Sequence, residues 1–128
     1  MNIFIDDTRS APKDWIRFTS AEKFIKALPH LPYPVQHISF DHDLGEPRYH
    51  QSGYDLIKYL VDNRAKFFEQ VGTIYIHSSN VVGRKNMMSY LASAQQHNII
   101  TSKVYIYPTY LRAENNHLYE ELSGVRII

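Results

Sequence analysis

The sequence predicts one α/β domain on a mainly parallel, five-stranded sheet. Three observations carry that reading. Short apolar, β-branched runs recur at 2–6, 35–41, 71–76 and 103–107, with a shorter one at 15–18. Helical patterns fall between most of them, which is the signature of βαβ units. Three of the runs end in polar clusters: Asp6-Asp7, Asp41-His42-Asp43, and His77-Ser78-Ser79-Asn80. In an open α/β sheet, ligands bind at the carboxyl ends of parallel strands.

The elements follow in order. Residues 2–6 form the first strand, and Pro12 keeps a helix from starting early in the segment after it. No helix fits between Asp7 and Trp15, so a loop alone joins the first two strands. Residues 15–18 are the second strand. Thr19 reads as a helix cap, with Glu22 completing a capping box and Phe24, Ile25 and Leu28 at helical spacing. Pro29, Pro32 and Pro34 end that helix and keep the linker extended. The third strand is 35–41, followed by a polar loop over 45–51. Ser52 caps the next helix with Asp55 at the reciprocal position. Tyr54, Leu56, Ile57, Leu60 and Val61 give it an apolar stripe that runs to about Phe68.

Residues 71–76 are the fourth strand. Gly83 lies near the end of the loop that follows, and 86–96 reads as helix, with Met87, Met88, Tyr90, Leu91 and Ala94 facing inward. Residues 103–107 are the fifth strand, stopped by Pro108. From about 109 the pattern is less regular, with a short helix over 110–122 and an edge strand over 125–128 as the expectation. No repeat, low-complexity segment or domain boundary interrupts 1–128.

Bulk properties narrow the function. At 128 residues, 44% hydrophobic and 21% charged, the chain has the composition of a globular domain and not a disordered one. A net charge of +1 supplies no field for an extended nucleic-acid surface or an acidic membrane. The absence of cysteine excludes a disulfide scaffold and a zinc-thiolate site. No apolar run approaches the roughly 18 residues of a membrane span. Without a basic segment followed by an apolar one at the start, the expected location is cytoplasmic. The ten tyrosines read first as amphipathic filler. Those near the C-terminus also suit a partner surface, which leaves an oligomer open.

The polar clusters suggest chemistry. Asp6, Asp7, Asp41 and Asp43 are four carboxylates at adjoining strand ends. Close together they would repel unless a cation sat among them. Such oxygen ligands suit Mg²⁺ or Mn²⁺. One acidic pair alone would be a cap or a solvated loop end; two pairs at two strand ends favour the metal. His77 and His42 fall at strand ends facing one crevice, where two histidines can act as acid and base on a phosphoester. A strand-end His is more often a hydrogen-bonded structural residue. Ser78 and Ser79 lack the surroundings of a nucleophile. Arg84 follows Gly83 at a helix start, a ready anion site, and Arg9 follows the first acidic pair. Guanidinium groups match phosphate bidentately, and Ser78 and Asn80 complete the candidate phosphate set. Lys13, Arg48, Lys85 and Tyr54 are further rim candidates.

These residues resemble the receiver domains of two-component signalling, and more closely the divergent group of cyclic-phosphate processing receiver domains. The motifs are IDDTRSAP at 5–12, SFDHDLG at 39–45, SGYDLIKYL at 52–60 and IHSSNVVGRKNM at 76–87. The resemblance spans roughly 2–108. It implies a receiver-like (flavodoxin-like) three-layer sandwich with strand order 2-1-3-4-5. It also implies metal-dependent binding of a cyclic phosphate, with hydrolysis as the expected outcome. The substrate would be a cyclic nucleotide or a chain ending in a 2′,3′-cyclic phosphate. Alternatives are a non-catalytic cyclic-nucleotide sensor or sequestering protein, and a switch phosphorylated at Asp41. Ordinary receivers end strand five with a Lys before Pro; here Tyr107 precedes Pro108 and Lys103 stands four residues early. Losing that cation while gaining His42, Asp43, His77, Asn80 and Arg84 favours surrounding a phosphate over accepting a phosphoryl group.

Overall fold

Five strands pair side by side in the order β2-β1-β3-β4-β5, and every pairing is parallel. The structure is a computed structural model that describes residues 1–32, 34–44 and 52–107. The strands are β1 (Asn2–Ile5), β2 (Ile16–Phe18), β3 (Val35–Phe40), β4 (Val71–Ile76) and β5 (Tyr105–Tyr107). The helices are α1 (Ala21–Ala27), α2 (Gly53–Asn63) and α3 (Val81–Gln96). This is the receiver-like order the sequence predicts, and β1 connects to β2 without a helix. The expected loop over 45–51, helix over 110–122, edge strand over 125–128 and extension from about 109 lie outside the described residues.

Alternation along the strands sorts the two faces. Ile3, Ile5, Ile38, Phe40, Ile74 and Ile76 point to one side and share a core with Phe24 of α1, Leu56, Ile57 and Leu60 of α2, and Met87 and Leu91 of α3. Phe4 points the other way and packs with Trp15 in a smaller cluster. The opposite face is therefore where polar and aromatic side chains of β1, β3 and β4 meet.

Element ends differ from expectation in instructive ways. Ser20 and not Thr19 caps α1, accepting the Lys23 N–H at 3.1 Å. Helix α2 stops at Asn63, where Arg64 leaves helical backbone, and 65–70 tightens into 3₁₀ turns rather than continuing to Phe68. Its capping box between Ser52 and Asp55 is present as expected. Helix α3 starts five residues before 86, with Asn80 as its cap. Strand β5 begins at Tyr105, two residues after Lys103.

Two glycines bring the helices against the strand ends. A Cβ at Gly53 would collide with the Asp41 carbonyl, so α2 starts flush against the end of β3. The Gly53 N–H donates to the His42 carbonyl at 2.7 Å. A Cβ at Gly83 would collide with the His42 ring, so that ring lies against the first turn of α3.

Candidate functional site

The end of β1 carries Asp6, the end of β3 carries Asp41, and the end of β4 carries His77. Because β1, β3 and β4 are adjacent and in register, the three side chains converge. They offer ligand atoms within 4.8 Å of one another. Asp6 and His77 are fully buried and Asp41 nearly so. Burying two carboxylates side by side is costly unless each is paired, and each is.

Asp6 accepts on both oxygens. Its Oδ1 takes the Thr8 and Arg9 backbone N–H groups, both at 2.9 Å. Its Oδ2 takes Arg9 Nη1 at 3.1 Å and lies 2.9 Å from His77 Nε2. Burial alone would raise this carboxyl, but the His77 bond and the two backbone N–H groups outweigh it and hold it well below the usual carboxylate range. Asp41 faces the opposite balance. Burial first, then the neighbouring Asp6 charge, push it up to about 6, against Arg9, the Ser78 hydroxyl and the His42 N–H.

The protons of His77 follow from its partners. An ionised Asp6 can only accept, so Nε2 carries the hydrogen. Nδ1 is then the acceptor, and the Ser39 hydroxyl, 2.5 Å away, donates to it. The ring stacks on Phe4 with centroids 4.3 Å apart. Burial depresses its pKa, opposed by Asp6, so it stays neutral. Ser39 is the one member of this chain that sequence reasoning missed. The signal was available: Ser39 is a polar residue on the same strand face as His37, between apolar Ile38 and Phe40.

His42 is built differently. It is partly exposed, and its Nδ1 lies 2.8 Å from Asp43 Oδ1 and 3.4 Å from Asn80 Nδ2. The shorter contact decides: Nδ1–H donates to Asp43, which makes Nε2 the unprotonated nitrogen of the neutral ring. Asp43 is largely exposed, at 68% of its side chain. Asp7 is half-buried, and Asp7 and Asp43 both stand outside the Asp6–Asp41–His77 group.

The phosphate candidates divide likewise. Arg9 reaches Asp6 and, at 3.3 Å, Asp41. Arg84 donates from Nη1 to the Ser78 carbonyl at 2.9 Å. Ser78 is buried and accepts the Asn80 N–H at 3.1 Å. Asn80 Oδ1 caps α3 through the Gly83 N–H at 2.9 Å. The first N–H groups of α3, those of Val81 and Val82, have no carbonyl within the helix to bond, as at any helix start. Both residues are exposed.

Two buried carboxylates and an imidazole are a donor set that suits a hard divalent cation. Asp6 and Asp41 would hold it. His77 would have to give up its bond to Asp6 in order to ligate.

Residues 1–93 match the family model described as Cyclic-phosphate processing Receiver domain. That span includes every residue of the site. No curated protein and no solved structure matches the chain. No helix among the described residues is long and apolar enough to cross a membrane.

Proposed function

Because the chain belongs to the cyclic-phosphate processing receiver domain family, we propose that it binds a cyclic phosphate at the carboxyl end of its sheet and opens it by hydrolysis. The observation that carries this reading is the His42–Asp43 pair lying against the start of α3 beside two buried acids. A base, an anion-binding helix end and a cation-seeking acid pair are the parts such a reaction needs.

The roles divide as follows. The Val81 and Val82 N–H groups and the Arg84 guanidinium hold a non-bridging phosphate oxygen. His42 Nε2 takes a proton from water as that water attacks phosphorus. One ring P–O bond breaks, the leaving oxygen takes a proton from solvent and becomes a hydroxyl, and a phosphomonoester remains. Asp43 orients His42 and stabilises the imidazolium that forms. His77 does not touch the substrate in this scheme; it holds Asp6 in place through Nε2–H. Asp6 and Asp41 would hold Mg²⁺ or Mn²⁺, which supplies Lewis-acid stabilisation of phosphate charge when bound. The substrate class is a cyclic nucleotide or a 2′,3′-cyclic phosphate end.

The test is a panel of cyclic nucleotides and 2′,3′-cyclic phosphates incubated with Mg²⁺ or Mn²⁺ and read by chromatography. A monoester product from at least one class is the expected result. Binding without product would instead place the chain among sensors or sequestering proteins. Label from a small phosphodonor on Asp41 would favour a phosphoacceptor.

A further inference from the structure

We infer that Arg9 is the built-in cation of the Asp6–Asp41 pair and that a divalent metal must displace it to bind there. The inference rests on the metal-assisted reading above and adds what guards the metal position. One atom, Arg9 Nη1, spans the two carboxylates, 3.1 Å from Asp6 Oδ2 and 3.3 Å from Asp41 Oδ2. A cation bridging these two Oδ2 atoms would need the oxygens that Arg9 Nη1 already holds. The Arg9 side chain is 18% exposed while its carboxylate partners are almost fully enclosed. It is thus the most solvent-accessible of the three side chains.

The rest of the cluster offers the metal no easier route. Asp6 Oδ1 is occupied by the Thr8 and Arg9 N–H groups and the Thr8 hydroxyl. His77 is committed on both ring nitrogens, to Ser39 and to Asp6. Arg9 is also tethered at its backbone. Its N–H bonds Asp6 and its carbonyl accepts Arg17 Nη1 at 2.8 Å. These backbone bonds do not involve the side-chain atoms that hold the acids. Two cations that need the same oxygens oppose each other, and the opposition is reciprocal.

The experiment titrates Mn²⁺ alone into the full chain by calorimetry, comparing wild type with Arg9→Ala and Arg9→Lys. Arg9→Ala should bind Mn²⁺ about tenfold more tightly or better, within the usual range of coupling between sites. Arg9→Lys, which keeps a cation, should remain near wild type. Thermal unfolding supplies a second readout: Mn²⁺ should raise the midpoint of Arg9→Ala more than that of wild type. Should Arg9→Ala fail to fold, Arg9→Gln removes the charge while keeping donors for the two acids, and the same tightening is expected. Equal or weaker Mn²⁺ binding in the charge-free variants, or none in any form, would overturn the inference. Turnover of a cyclic phosphate in EDTA would count against the metal-assisted reading of function alone; the titration still decides Arg9.

Discussion

His77 and His42 follow neighbouring strands by one and two residues, yet the fold gives them opposite surroundings. His77 is sealed between Phe4, Ser39 and Asp6, with both nitrogens in hydrogen bonds. His42 lies at the rim against Gly83, with one nitrogen on Asp43. Burial with two partners makes an imidazole a fixed strut. Partial exposure with one carboxylate partner suits an imidazole to the base role proposed above. The same residue type near the ends of neighbouring strands therefore says little about role until its second nitrogen is accounted for.

The comparison breaks most visibly if the rim histidine is removed. His42→Ala should lower turnover of a cyclic phosphate by about 10²–10⁴ while leaving the unfolding midpoint nearly unchanged. Steady-state rates and thermal melts on the same preparations check both halves.

Removing the sealed histidine should act on the fold. His77→Ala leaves Asp6 and the Ser39 hydroxyl short of a partner and opens a void against Phe4, a loss on the order of 3–4 kcal/mol in urea unfolding. A variant as stable as wild type would show that the strut carries no load.

The two acids sharpen the same contrast through pH. Asp41 has a folded pKa of about 6 against an ordinary 3.8. Its favourable contribution is complete below about pH 4 and is lost as pH rises through about 6. Asp6 is depressed, so its contribution is present above its ordinary value and is lost only as pH falls well below it. Between pH 4.5 and 7.5 in EDTA, wild type should thus lose on the order of 2 kcal/mol from Asp41. Asp41→Asn should lack that component of the pH slope. Parallel slopes in the two proteins would remove the assignment.

The smallest effect concerns the exposed partner. Asp43→Asn keeps an acceptor for His42 but loses the charge that stabilises its imidazolium, and should lower turnover by about tenfold. No change would mean that Asp43 only accompanies the ring.

Much of this was legible beforehand. The apolar runs of β1, β3 and β4 end in acids, histidine and serine because buried strands must surrender polar groups at their ends. That pattern alone placed Asp6, Asp41 and His77 at one edge. What was not legible depended on contacts between distant segments. Helix α3 starts at Val81 and not at 86 because Asn80 caps it and Gly83 is needed beneath His42, whereas exposed Val81 and Val82 hide the helical period. The cap of α1 fell on Ser20 because two adjacent hydroxyls compete and only geometry chooses. The role of His77 depended on Phe4 and Ser39, which come from two other strands. The contact of Arg9 with Asp41, 32 residues on, could not be read from the sequence because it exists only in the fold.

The account stands on the different protonation of the two imidazoles, and long-range ¹H–¹⁵N spectra of chain labelled at histidine measure it directly. At about pH 8 an ordinary imidazole, with a pKa of about 6.5, is neutral, so tautomers can be read. His77, assigned by its loss in His77→Gln, should be protonated at Nε2 with a ring proton slow to exchange with water. His42, assigned by its loss in His42→Gln, should be protonated at Nδ1 and exchange quickly. A His77 protonated at Nδ1, or exchanging as fast as His42, would contradict the division of labour proposed for the site.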